Sequence, residues 1–242
     1  YAFSGGAALS PEVARFIDNM NITVYEGYGL TETSPIVTCN RPGARRIGSV
    51  GQSIPGVEVI LEPVEGYPDP NVGEICVKGP NIMKGYHNLP EQTADVIDAD
   101  GKFHTGDLGK VDDEGFIFII GRVKEQYKLE NGKYVAPAPL EEQLKLSPYI
   151  NQIMIEGTNK PYNVALIVVD PETSDAWAKA NNAGDDYLGS EGFKKAIADE
   201  IERFGQNFKG YERPKRFKLI TDEFTVENEM LTPSLKVKRR IV

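Results

Sequence analysis

Residues 103–125 read FHTGDLGKVDDEGFIFIIGRVKE, and this stretch decides how the flanking chain is organised. Lys110-Val111-Asp112 and the apolar run 116–120 are separated by Asp113-Glu114-Gly115, which predicts a β-hairpin. A polar HTGD turn stands at one end of the hairpin and Gly-Arg-Val-Lys-Glu at the other, so Asp107 and Arg122 are placed to face one ligand. An aspartate accepts from two neighbouring hydroxyls, and a guanidinium forks onto phosphate or ribose oxygens. The pair points to a nucleotide, although Asp107 alone is equally a turn cap and Arg122 alone a surface ion-pair residue.

Upstream, residues 1–3 read as the end of a buried strand and Ser4-Gly5-Gly6-Ala7 as a turn that lets backbone approach a partner closely. Ser10 caps a helix that opens on Pro11, and Val13, Phe16, Ile17 and Met20 fall at the spacing of a core-facing stripe. The β-branched run 22–25 makes a second strand, so strand, helix and strand imply a parallel pair with a right-handed crossover. The loop EGYGLTETSPIVT from Glu26 follows a strand end, where binding loops of parallel sheets lie. Within it Tyr28-Gly29-Leu30-Thr31-Glu32 offers an aromatic face, a hydroxyl and a carboxylate, a set suited to a base, a phosphate oxygen and Mg²⁺. A capping threonine beside an exposed glutamate is the plainer account of the same residues.

Between residues 47 and 121, short alternating strands at 57–61 and 73–77 separated by turn clusters predict a small distorted barrel or sandwich. After Gly121 the pattern changes to hairpins and helices. Asn131-Gly132 marks a hairpin turn, 139–146 and 172–181 read as helices, 150–156, 164–170 and 217–220 as strands, and 190–208 as the longest helix. Phe193, Ile197, Ile201, Phe204 and Phe208 line one face of that helix, and the polar end beyond residue 220 looks flexible. The fold class is therefore α/β and α+β. The large-domain portion is 1–122, with an α/β remnant at 1–45 and a β-barrel at 46–122, followed by a small α+β domain at 123–242.

A formal net charge of −9 over 242 residues argues against general binding to nucleic acid or to an anionic membrane. The basic run Lys236-Val237-Lys238-Arg239-Arg240 then needs a local role, either charge neutralisation on phosphate by Lys236 or a solvated tail. Cys39 and Cys76 show no CxxC or Cys/His spacing, so neither a zinc site nor a disulfide framework is indicated, and a cytoplasmic, reducing setting fits. His87 and His104 accompany no nucleophile, which leaves no Ser/His/Asp triad. No apolar run reaches the roughly 20 residues of a membrane span.

Taken together, SGGA at Ser4, YGLTETSP at Tyr28, HTGDLG at His104 with GRVKE at Gly121, and the terminal LTPSLKVKRR resemble the adenylate-forming, AMP-binding superfamily. KLENGKYVAP and LTPSLKVKRR are similar to its long-chain fatty acyl-CoA synthetase branch. The resemblance implies a fatty acid–CoA ligase using ATP, Mg²⁺ and CoA, with acyl-AMP and pyrophosphate formed first and acyl-CoA second. It implies that Gly6 and Ala7 line the adenine pocket, that Tyr28 stacks on the base, and that Gly29 belongs to the same cofactor-binding set. Thr31 would touch the α-phosphate and Glu32 would hold Mg²⁺. Asp107 would accept from ribose with Arg122 beside it, Lys124 would be the hinge, Gly132 would lie at the CoA strand, and Lys236 would serve adenylation.

Leu235 replaces the glycine that precedes this lysine in acetate-type relatives, and Lys133 stands where the branch often has an acid. The family's Ser/Thr/Gly-rich phosphate loop, ending in Pro-Lys-Gly, belongs ahead of Ser4, so the resemblance implies a C-terminal portion that is inactive alone. Transfer of the acyl group to a carrier protein, and a non-catalytic folded module, are the alternative readings. The acyl substrate allows peripheral membrane contact.

Overall fold

The computed structural model describes every residue except Ala7, Ala8, Pro68, Asp185 and Ser234. It divides into two compact units, Tyr1–Lys124 and Glu125–Val242.

In the first unit β1 (Ala2–Ser4) leads to α1 (Pro11–Asn19) and β2 (Val24–Gly29), followed by β3 (Ile36–Cys39) and β4 (Gln52–Ser53). These strands form one sheet in the order β1-β2-β3-β4. The β1–β2 pair is parallel, as the strand, helix, strand pattern predicts, and the other two pairs are antiparallel. Ser10 caps α1, its hydroxyl accepting from Glu12 N with Pro11 in the first turn.

The expected core stripe on α1 is not buried. Ala14 is the buried residue of the helix, while Phe16 is 64% and Met20 51% exposed. Periodicity reports an apolar face, not a layer to cover it. Here α1 rests on β2 at the side of a sheet whose outer strand, β1, also leaves Tyr1 and Phe3 exposed.

A second sheet follows, built as a meander of β5 (Glu58–Glu62), β6 (Val72–Lys78), β7 (Phe103–Val111) and β8 (Ile117–Arg122), with α2 (Pro90–Ala94) before β7. All its neighbours are antiparallel. Val37, Val57, Ile75, Val77 and Ile117 make the buried core between the two sheets, with Tyr28 packed against it. Val50 N donates to Ile117 O and Ile117 N to Gly51 O, stitching one sheet to the other. Both sheets are open, so the strands expected to form a barrel or a sandwich adopt the face-to-face arrangement without closing.

The opening hairpin is present, with Gly115 at φ +80° and its N–H donating to Asp112 O. HTGD, however, lies inside β7 and is not a turn ahead of it. Register shifts at Glu74/Cys76 and Leu108/Gly109, with Gly106 at φ +73°, give this strand an irregularity that composition reads as a turn.

The second unit opens with a short hairpin, β9 (Tyr127–Lys128) and β10 (Tyr134–Val135), and α3 (Pro137–Leu144). Pro137 takes the first turn, so this helix begins two residues before the expected 139. β11 (Ile150–Glu156), β12 (Val164–Val169), α4 (Pro171–Ala180), α5 (Glu191–Phe204) and β13 (Arg216–Ile220) complete the unit. The sheet order is β11-β12-β13, antiparallel then parallel. Phe193, Ile197 and Ile201 of α5 pack with Leu140, Leu144, Ile155 and Ile167 in one core. Gly205 ends α5, while Phe204 and Phe208 pack partly buried against that core.

The segment after β13 is not a free tail. Leu231 and Val237 form a bridge, both pack near buried Val168 and Phe224, and Arg239 pairs with buried Glu141.

Candidate functional site

The candidate site lies where the two sheets of the first unit meet. Antiparallel pairing sets Asp107 of β7 opposite Arg122 of β8, and Arg122 Nη1 lies 3.0 Å from Asp107 Oδ1. From the other sheet, the Tyr28 hydroxyl donates to Asp107 Oδ2 at 2.6 Å. Asp107 is 5% exposed, and its own N–H donates to Thr105 Oγ1. Burial first, and then the adjacent Asp107 carboxylate, push the Tyr28 phenol well above its ordinary range, so it remains a donor. The Arg122 side chain is 43% exposed, which leaves one flank of the cluster accessible.

Gly29 follows Tyr28 at a bulge in the β2–β3 pairing. A Cβ on it would lie 1.8 Å from Pro35 O, so no other residue fits this approach of the two strands. The next residues make a turn of 3₁₀ helix, Thr31–Thr33. Buried Thr33 holds the turn closed: its hydroxyl accepts from Leu30 N and donates to the Leu30 and Pro35 carbonyls. Thr31 is therefore presented exposed, with Glu32 half-buried beside it.

Glu32 accepts a 2.9 Å bond from the Tyr86 hydroxyl on one oxygen, and its carbonyl accepts from Met83 N. Burial and then Glu32 raise the Tyr86 pKa. A carboxylate oriented in this way suits a hard cation such as Mg²⁺. Tyr86 and Thr33 are the residues that sequence reasoning missed. The Gly85-Tyr86-His87 turn is legible as a loop, but nothing in it marks the carboxylate it will meet.

Gly6 is exposed at φ +84°, just beyond β1, whose last residue Ser4 pairs with Glu26. Ala7 lies outside the described residues. Lys124 is exposed in the 3₁₀ turn Val123–Glu125 that follows Arg122. The structure thus joins Tyr28, Asp107 and Arg122 by direct contact and sets Gly29, Thr31 and Glu32 beside them along the chain.

Two residues from the same reading belong to the second unit. Gly132, at φ +82°, turns the β9–β10 hairpin, where its N–H donates to Leu129 O. Lys236 is exposed in a tight loop: Thr232 N donates to Lys236 O, and Lys236 N donates to Thr232 Oγ1.

The chain belongs to the adenylate-forming superfamily. The AMP-binding enzyme family matches residues 1–87, and the AMP-binding enzyme C-terminal domain matches residues 124–224.

The relatives place it in the long-chain acyl-CoA synthetase branch. A long-chain-fatty-acid–CoA ligase of Mycobacterium bovis is 36% identical over 100% of this chain and 40% of its own length. Human long-chain-fatty-acid–CoA ligase 6 is 37% identical over 98% of the chain and 35% of its length. Among solved structures, the A domain of a carboxylic acid reductase from Segniliparus rugosus, in complex with AMP and a co-purified carboxylic acid, aligns with a TM-score of 0.79. It is 32% identical, covering 98% of this chain and 36% of that one. The chain therefore spans well under half the length of the relatives it matches.

Proposed function

We propose that this chain is the C-terminal portion of a long-chain fatty acid–CoA ligase, with residues 123–242 forming the small mobile domain. The observation that carries the reading is the buried Asp107 carboxylate held between Tyr28 and Arg122, on a chain similar along its whole length to such ligases. In the first step the fatty-acid carboxylate attacks the α-phosphate of ATP, forming acyl-AMP and releasing pyrophosphate. In the second the CoA thiol attacks the acyl carbonyl and AMP leaves.

Asp107 accepts from the ribose hydroxyls, and Arg122 on its accessible flank binds the same nucleotide. The Tyr28 ring stacks on the base while its hydroxyl keeps Asp107 oriented. Gly6 and Ala7 let backbone approach the adenine, and Gly29 permits the close strand contact that sets Tyr28 beside it. The exposed Thr31 hydroxyl meets the α-phosphate. Glu32, fixed by Tyr86, is the residue that would hold Mg²⁺, which supplies positive charge against phosphate oxygens when bound. Lys236 neutralises charge that builds on phosphate during adenylation. Lys124 is the pivot for a hinge motion before thioester formation, and Gly132 lies on the hairpin that receives CoA. A cytoplasmic setting belongs to this reading, as do the two free thiols. Among the described residues no helix is long and apolar enough to cross a membrane.

The test uses the full-length protein that carries this sequence. Fatty-acid-dependent pyrophosphate exchange is expected to be abolished by Lys236→Ala, while thioester formation from supplied acyl-AMP survives. Equal loss of both half-reactions overturns the assignment of Lys236. The likeness to the A-PCP didomain of a carboxylic acid reductase supports a second reading, in which a carrier protein's phosphopantetheine thiol receives the acyl group. Supplying each acceptor in turn separates the two.

A further inference from the structure

Away from the nucleotide cluster, β6 and β7 bring together three side chains of a different chemistry. Glu74 and Cys76 are two apart on β6 and share a face, and His104 is the register partner of Cys76 on β7. His104 Nδ1 lies 3.3 Å from Cys76 Sγ and 3.1 Å from Glu74 Oε2. The three donor atoms lie within 4.8 Å of one another. A thiol, an imidazole and a carboxylate are the ligand types of tetrahedral zinc, with bonds of about 2.3, 2.0 and 2.1 Å. Tetrahedral angles then set sulfur and nitrogen about 3.5 Å apart and nitrogen and oxygen about 3.3 Å apart. The observed sulfur–nitrogen and nitrogen–oxygen spacings differ from these by a few tenths of an ångström, and the sulfur and the carboxylate oxygen lie within 4.8 Å of each other.

The surroundings fit the same role. Metal-bound histidines hold their second nitrogen against an acceptor, and His104 Nε2 faces Asp98 Oδ2 at 3.9 Å. Glu74 is oriented by its other oxygen, which accepts from Gly106 N at 3.0 Å. Asp98, Glu74 and Glu62 supply three carboxylates, while Lys102 pairs with Glu62 and Asp98, so the pocket carries surplus negative charge. Cys76 is fully buried, but the Glu74 and His104 side chains are 20% and 31% exposed, which gives an ion a way in.

The geometry points to a divalent-metal site of the zinc class formed by Glu74, Cys76 and His104, with a fourth position for water. It does not depend on the ligase reading. Through Glu74 and Gly106 it reaches the backbone next to Asp107, so an ion here ties β6 to the strand that carries the nucleotide acceptor.

Titration of the metal-free, reduced full chain with Co²⁺ alone tests this. The expected result is one equivalent bound, with a thiolate-to-cobalt charge-transfer band and tetrahedral visible bands, both lost on adding Zn²⁺. His104→Gln, at a partly exposed ring, is expected to abolish the bands with the circular dichroism spectrum unchanged. Asp98→Asn should weaken binding about 10-fold. Cys39→Ser should leave the bands intact. No charge-transfer band, a band that survives His104→Gln, or one lost with Cys39→Ser overturns the proposal. Cys76→Ser adds confirmation where it folds, and His104→Gln decides the matter where it does not.

Discussion

The Tyr28 hydroxyl and the Asp107 carboxylate, 79 residues apart, meet at 2.6 Å and join the two sheets of the first unit. Burial and the adjacent Asp107 carboxylate raise the phenol's pKa, which favours the protonated form that donates to Asp107 Oδ2. Tyr28→Phe keeps the ring and removes the bond, leaving a buried acceptor under-satisfied. A loss of about 1–2 kcal/mol is expected in urea unfolding of the first unit. On the proposed reading, in which the Tyr28 ring stacks on the base, AMP affinity of the full-length protein should fall far less than in Asp107→Ala. Equal losses of affinity would remove the distinction between orienting and accepting roles.

The ion pair of Arg239 and Glu141 anchors the segment that carries Lys236. The two terminal guanidinium nitrogens reach the carboxylate, Nη1 at 2.8 Å from Oε1, and Ile155 N donates to the same oxygen at 2.6 Å. Arg239→Met strands a buried carboxylate and is expected to cost about 3–5 kcal/mol. Adding Glu141→Leu should recover much of that loss, with a remainder from the unpaired Ile155 N–H. Chemical unfolding of the two single variants and the double measures the coupling, and simple additivity would show that the pair does not act as a unit.

What the sequence reveals depends on how local the cause is. Asp113-Glu114-Gly115 specifies its own turn, and Ser10-Pro11 its own helix start, so both are legible. The stripe on α1 is legible as a pattern and misleading as a burial, since Phe16 needs a partner layer that periodicity cannot supply. HTGD reads as a turn because its glycine serves an irregular strand. Tyr86 on Glu32, Tyr28 on Asp107 and Arg239 on Glu141 are contacts across long separations that no spacing rule reaches. The same holds for Glu74, Cys76 and His104. The sequence carries no zinc motif because strand pairing, not chain spacing, assembles the cluster.

The hairpin turn should register acid. Burial works against the charged form of Asp112, but donation from Phe116 N and Glu114 N and the ion pair with Arg46 outweigh it, holding the carboxyl below its ordinary 3.8. The folded state therefore binds this proton less readily than the unfolded chain. The contribution is complete above about pH 3.8 and is lost as pH falls through the lowered value. Asp112→Ala should lower the thermal midpoint near neutrality, and the gap to the parent chain should narrow in acid. A gap that does not change with pH would mean the carboxylate's charge contributes nothing.

Leu235, directly before Lys236, holds φ at +60° and is 71% exposed. It makes the Thr232 turn by donating its N–H to Thr232 O at 2.8 Å. The left-handed region costs an L-residue about 1–2 kcal/mol. Glycine adopts it freely, at an entropic cost of about 0.5–1 kcal/mol when the chain folds. Leu235→Gly is therefore expected to stabilise the second unit by roughly 0.5–1 kcal/mol, a rise of a few degrees in midpoint. Leu235→Ala retains the Cβ and the strain, and the leucine side chain it removes is largely in water, so its midpoint should stay near that of the parent. Equal shifts in the two variants would assign the effect to the lost leucine side chain, whereas a gain confined to glycine assigns it to the backbone of the loop that presents Lys236.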